Sequence, residues 1–168
     1  DQLVSRSINI LFCIGGDGTL KGARAIAQEI KKRELKISVV GVPKTIDNDL
    51  SFVEKTFGFE TSVQIASDII TSAHTEAKCA ENGIGIVKLM GRDSGFISAS
   101  ATLANSVVDF CLVPETNFHL YGSGGLLNAV EKRLSTRQFT VIVVAEGAGQ
   151  HLFNEASERR DQSGNLMK

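Results

Sequence analysis

Two short runs near the start of the chain carry residue types suited to handling phosphate. Gly15-Gly16-Asp17-Gly18-Thr19 and Pro43-Lys44-Thr45-Ile46-Asp47-Asn48-Asp49 each follow a β-branched apolar stretch. Each therefore reads as a loop at the carboxyl end of a strand, the edge at which open α/β sheets bind ligands. The glycine-rich run lets backbone lie close to a polyanion, and the amphipathic segment behind it supplies a helix N-terminus. Asp17 in that run would repel phosphate unless a cation lies between them, which implies Mg²⁺. In the second run, Asp47 and Asp49 suit a division of labour. One carboxylate accepts a hydroxyl proton while the other supports the metal. Lys44 beside them adds a phosphate-seeking charge. Together the runs fit phosphoryl transfer, a reaction that depends on positioning and charge neutralisation.

Two further groups stand at strand ends. Met90-Gly91-Arg92 follows an apolar run, and Gly91 allows close approach to an anion held by Arg92. Glu146, at the end of the last apolar run and before Gly147, suits a carboxylate that grips sugar hydroxyls. The blander alternative for the Asp47-Asn48-Asp49 run is a turn, since Asx side chains bond nearby backbone. Competing signatures fail. There is no Gly-Lys-Ser/Thr Walker sequence, and Gly147-Ala148-Gly149 lacks the third glycine and following helix of a dinucleotide fingerprint. No Gly-x-Ser-x-Gly elbow is present.

Positioning these loops requires alternating strands and helices, and the pattern supplies them. Ile8 to Ile14, apolar but for Asn9, is a run of the kind a buried parallel strand shows. Leu20, Ala23, Ile26, Ala27 and Ile30 then mark one helical face between Thr19 and Leu35, with Lys31, Lys32 and Arg33 at its C-terminal end. Ile37 to Val42 is a second strand, stopped at Pro43. Helical spacing returns from Thr56 to Cys79, followed by a strand from Ile84 to Met90 and a small-residue helix from Ser94 to Asn105. A strand from Asp109 to Val113, a helix from Ser123 to Leu134 and a strand from Phe139 to Ala145 complete the order. The fold class is α/β, with Rossmann-like parallel sheets covered by helices. A boundary between two lobes is expected near residue 58, giving segments 1–58 and 59–150, with 151–168 a polar and mobile loop.

Composition narrows the function classes. The 168 residues carry a formal net charge of −1, so no basic excess points to nucleic acid. No apolar run approaches the ~20 residues of a membrane span, and the first residues lack the features of a signal peptide. Cys13, Cys79 and Cys111 are odd in number and widely spaced. They are expected to be buried reduced thiols of a cytoplasmic protein rather than disulfides or metal ligands. His74, His119 and His151 show no zinc spacing. With no initiator methionine and a polar close, the whole reads as a piece of a longer polypeptide.

The motifs in their order, with Val113-Pro114-Glu115 and Ala145-Glu146-Gly147 added, resemble the 6-phosphofructokinase family over nearly the whole chain to Gln150. The glycine-rich loop alone is also similar to those of NAD kinases and diacylglycerol kinases. The Thr-Ile-Asp-Asn-Asp and Met-Gly-Arg loops are the specific part. The resemblance implies a glycolytic kinase of two lobes, the first binding the phosphoryl donor and the second the sugar phosphate. By the same resemblance Asp47 would deprotonate the 1-hydroxyl of fructose 6-phosphate, and Thr45 would hold the transferring phosphoryl. Gly16, Gly18, Thr19 and Lys44 would line the donor's phosphates, and Asp17 would hold Mg²⁺ with Asp49 in support. Met90, Gly91, Arg92 and Glu146 would grip the sugar phosphate. Partners so implied are fructose 6-phosphate, ATP and further copies of the chain in an allosteric dimer or tetramer. Gly18 resembles the ATP-dependent branch and Lys44 the pyrophosphate-dependent one, a mixture similar to the ATP-dependent enzymes of plants and some protozoa. A non-catalytic regulatory subunit is the alternative from another class, yet Asp47 and Arg92 are intact. Two departures stand out. Gly83 occupies the place of an arginine that reaches across the subunit interface in many bacterial members. The residues that grip the 6-phosphate also lie outside this piece, so the piece alone is expected to be inactive.

Overall fold

The computed structural model describes residues 1–153. Its elements run α1 (Gln2–Ser5), β1 (Ile10–Gly15), α2 (Asp17–Lys32), β2 (Ser38–Pro43), α3 (Phe59–Cys79), β3 (Gly83–Leu89), α4 (Phe96–Leu103), β4 (Phe110–Leu112), α5 (Leu126–Arg137), β5 (Phe139–Ala145) and a final 3₁₀ turn (Gln150–Leu152). Strand and helix alternate as the sequence predicts; the short α1 had no periodic signal. The strands form two parallel sheets, β1-β2 and β3-β5-β4. Among the described residues no helix is long and apolar enough to cross a membrane.

The chain divides into two compact units, Asp1–Thr45 and the described residues from Ile46 onward. This division falls ahead of the lobe boundary read near residue 58. The reason is local bonding, because the intervening segment is fastened to the second unit. The Ser94 hydroxyl donates to the Asp47 carbonyl at 3.1 Å, and Gly58 lies against Ile46, whose Cγ2 would be 2.9 Å from a Cβ there. The polar stretch from Asn154, read as a mobile loop, lies outside the described residues.

In the first unit α2 packs on β1 and β2, burying Ala23 and Ile30. The apolar run of β1 was expected to be covered on both faces. Instead it alternates, with Ile10, Phe12 and Ile14 exposed. Among the described residues of this unit, α2 covers one face of a two-stranded sheet, and every second side chain of a strand points to the other.

The second unit holds the larger core. Ala66 and Ile70 of α3, Val87 of β3, Ala101 of α4, and Val141 and Val143 of β5 form one buried cluster. The central β5 is buried on both faces, since Thr140 and Ile142 are buried as well. That accords with a run of β-branched residues without alternation. On the Thr140 side a polar anchor joins α5 to the sheet. Asp109 pairs with Arg133 and accepts hydrogen bonds from the Thr140 hydroxyl at 3.0 Å and the Val141 N–H at 3.1 Å. Asp109→Ala would leave a mostly buried guanidinium and a buried amide without their acceptor. It should destabilise the fold by ~3 kcal/mol in a denaturant titration, whereas an ordinary surface carboxylate would cost well under ~1 kcal/mol.

The three cysteines are free. Cys13 and Cys111 are half-buried, whereas Cys79 is exposed rather than buried, because it is the last residue of α3 and ends on the helix's outer surface. Gly83 opens β3 directly beneath the end of α3. A Cβ there would lie 2.1 Å from the Ala77 carbonyl oxygen, so close packing excludes any side chain, an interface arginine included.

Candidate active site

Strand register explains why the motif loops fall side by side. In the first unit Gly15 of β1 pairs with Pro43 of β2, so the glycine-rich loop and Lys44 leave the sheet together. The Lys44 N–H donates to the Gly15 carbonyl at 2.8 Å, which locks the two exits. Gly16 is the N-cap of α2, and Asp17, Gly18 and Thr19 form its first turn. The unpaired amides of that turn are a ready anion site. The Asp17 carboxylate is exposed and pairs with Lys21 one turn on, at 2.6 Å. Thr45 is the last described residue of this unit.

In the second unit Leu89 of β3 pairs with Ala145 of β5, which sets Met90-Gly91-Arg92 beside Glu146. The Glu146 N–H donates to the Leu89 carbonyl at 2.9 Å and the Gly147 N–H to the Gly91 carbonyl at 3.2 Å. The approach is so close that only glycines serve. Gly91 has φ +131°, and a Cβ on Gly147 would fall 1.7 Å from the Arg92 carbonyl oxygen. Met90 is exposed at this edge. A polar cavity of about 190 Å³ opens beside the loops, lined by Asp93, Pro114, Asn117, Gly147 and His151 among others.

The Asp47 loop belongs to the same unit, and its shape is set by Asn48. Asn48 takes the left-handed conformation, φ 57°, which asparagine tolerates better than most residues. Its Oδ1 accepts the Thr56 N–H at 2.9 Å, closing the loop. The turn chemistry typical of Asx residues thus falls on Asn48, between Asp47 and Asp49.

Electrostatics show what surrounds Asp47. Burial, the largest cause, pushes its carboxyl above the ordinary range, reinforced by Asp49 and Glu146; Arg92 opposes, and Asp93 adds a smaller push upward. Three sequence-predicted residues, Asp49, Arg92 and Glu146, therefore act on a fourth, Asp47, within a single unit. Asp93, Ser94 and Glu115 were missed as site neighbours. Glu115 accepts the Gly95 N–H at 2.8 Å and so anchors the start of α4, just behind Arg92. No spacing rule marks such a residue, because its partner lies on a different strand–helix connection.

Among the described residues no three His, Cys, Asp or Glu side chains gather as a cage for a metal. Mg²⁺ characteristically uses one or two carboxylates together with substrate phosphates and water. The exposed Asp17 at the head of α2 fits that donor set.

A family model described as phosphofructokinase matches residues 1–166. The ATP-dependent 6-phosphofructokinase of Borreliella burgdorferi is 51% identical over 173 residues, covering 99% of this chain and 39% of that protein. ATP-dependent 6-phosphofructokinase 1 of Arabidopsis thaliana is 53% identical over 171 residues, covering 99% of this chain and 36% of that protein. The chain thus spans well under half the length of either relative. Among solved structures, a pyrophosphate-dependent phosphofructokinase from Marinobacter aquaeolei superposes with a TM-score of 0.73 at 26% identity, over 87% of this chain and 38% of that one. With the family model matched from the first residue to the 166th, and motif loops at the carboxyl edge of the sheet in each unit, the chain belongs to the phosphofructokinase family.

Proposed function

We propose that the full-length protein transfers a phosphoryl group from MgATP to the 1-hydroxyl of fructose 6-phosphate, giving fructose 1,6-bisphosphate. The observation that carries this reading is the convergence of Asp47, Arg92 and Glu146 in one compact unit. A carboxylate whose proton affinity is raised by burial is a better base than an exposed one. Asp47 takes the proton of the 1-hydroxyl as that oxygen attacks the terminal phosphorus of ATP, and the bond from that phosphorus to its bridging oxygen breaks to release ADP. Arg92 offers a planar fork to the sugar phosphate. Glu146 accepts hydrogen bonds from sugar hydroxyls, with Met90 and Gly91 shaping the floor. In the first unit Gly16, Gly18, Thr19 and Lys44 hold the donor's phosphates, and Thr45 steadies the transferring group. Asp17 would hold Mg²⁺, with Asp49 as a supporting carboxylate, and the ion would supply charge neutralisation on the phosphates. Free thiols accord with a cytoplasmic setting, and a homo-oligomer is what the resemblance to phosphofructokinases implies.

ATP is the preferred donor because Gly18 leaves room for a nucleotide and the relatives near half identity are named ATP-dependent. Pyrophosphate is the second reading, favoured by Lys44 and by the Marinobacter structure's own designation. The sugar-phosphate assignment is tested at Arg92. Arg92→Ala in the full-length enzyme should raise the KM for fructose 6-phosphate by ~10–100-fold, the loss of charge-assisted hydrogen bonds, with the donor's KM little changed. Equal effects on both substrates, or an effect on the donor alone, would place Arg92 elsewhere.

A further inference from the structure

The loop that presents Arg92 is fastened at several points within the second unit. Glu146 and Gly147 hold its first half through the main chain, and Glu115 holds the Gly95 amide behind it. One more fastening reaches the other loop of the site. The Ser94 hydroxyl donates to the Asp47 main-chain carbonyl at 3.1 Å, across a sequence separation of 47 residues. Ser94 is only 4% exposed. A buried hydroxyl spent on the main chain of a distant loop is a tether, since leaving either partner unsatisfied carries a desolvation penalty.

The two ends of this tether differ in rigidity. Ser94 is clamped by its own surroundings. Its carbonyl oxygen lies 2.2 Å from where a Gly91 Cβ would stand, and the next residue is latched to Glu115. Asp47 instead sits in an irregular loop between strand and helix, where the Asn48 side chain accepts the Thr56 N–H. Loss of the tether would therefore let the Asp47 main chain shift while the Arg92 loop stays in place.

We infer that Ser94 is a positioning residue, whose hydroxyl ties the main chain of the base to the loop presenting Arg92 and fixes their separation. The inference rests on Asp47 being the base. Proton transfer requires hydrogen-bond reach, and displacements of an ångström cost large factors in rate. A hydrogen bond lost at one remove from the reacting atoms should cost less than loss of the base itself.

The test is steady-state kinetics on the full-length enzyme carrying Ser94→Ala, Asp47→Asn, or both. Ser94→Ala should lower kcat by ~10-fold and leave the KM for the phosphoryl donor within about two-fold of wild type. On the Asp47→Asn background the same change should cost less than about two-fold, because no base remains to be placed. Three results would overturn the inference: kcat of Ser94→Ala within about two-fold of wild type, a rise in donor KM as large as the fall in kcat, or an undiminished loss on the Asp47→Asn background. If Asp47→Asn alone keeps near wild-type turnover, the failure is that of the base assignment, and the inference falls with it.

Discussion

Asp47→Asn in the full-length enzyme should lower kcat by ~10²–10⁴ while changing substrate binding far less. The amide keeps the size and shape of the carboxylate and removes its capacity to accept a proton. The loop keeps two of its fastenings in this variant, the Asn48 side chain on the Thr56 N–H and the Ser94 hydroxyl on the Asp47 main-chain carbonyl. Turnover within a few-fold of wild type would remove Asp47 from the base role. The same substitution carries an opposite sign for stability. Asp47 binds its proton more tightly when folded, through burial first and then Asp49 and Glu146. Its stabilising contribution is thus full below the ordinary carboxylate range and lost as pH rises through the raised folded value. At neutral pH the ionised carboxylate opposes folding, so Asp47→Asn should raise Tm there, with the gain shrinking toward acid pH. A lower Tm at neutral pH would show that the carboxylate is instead satisfied in the fold.

Gly18→Asp should weaken use of ATP by ~10²-fold in kcat/KM. Gly18 lies in the first turn of α2, where free amides face an incoming phosphate. A carboxylate there brings a like charge within a few ångströms of the nucleotide phosphates. At an effective dielectric constant of about 20, that repulsion amounts to ~3 kcal/mol. Pyrophosphate lacks the nucleoside and its α-phosphate linkage, so its use should fall less, and the ratio of the two donors is the informative quantity. An unchanged ratio would mean that Gly18 does not face the nucleotide and that Lys44 is the better guide to the donor.

The parts of this molecule that were legible in the sequence are those governed by local rules. The last strand is found at Phe139–Ala145, the bounds read from the sequence, around the unbroken β-branched stretch Thr140 to Val144. The α2 start was read two residues late, at Thr19 rather than Asp17, whereas three later helix starts were read a few residues early, each for a visible reason. The third helix waits until Phe59 because Gly58 turns left-handed at φ 86°. The fourth waits until Phe96 because Ser94 and Gly95 are committed to Asp47 and Glu115. The last begins at Leu126 because the glycines before it form a turn, with the Gly125 N–H donating to the Gly122 carbonyl at 3.0 Å. At the site, motif order was enough to nominate Asp47, Asp49, Arg92 and Glu146. Asp93, Ser94 and Glu115 were not, because their roles arise only when register brings Leu89 beside Ala145 and folds the loops together. The exposed face of β1 was illegible for a similar reason. An apolar run states what a strand can bury, not which of its faces a helix covers.

The central claim is tested most directly by incubating the purified full-length enzyme with fructose 6-phosphate and Mg²⁺, with either ATP or pyrophosphate, and following phosphorus resonances over time. The account predicts that a new phosphate ester appears at the 1-position of the sugar with ATP, in step with ADP formation, and at a much lower rate with pyrophosphate. No sugar bisphosphate from either donor would contradict the kinase reading itself, and a wide preference for pyrophosphate would contradict the assignment of the donor.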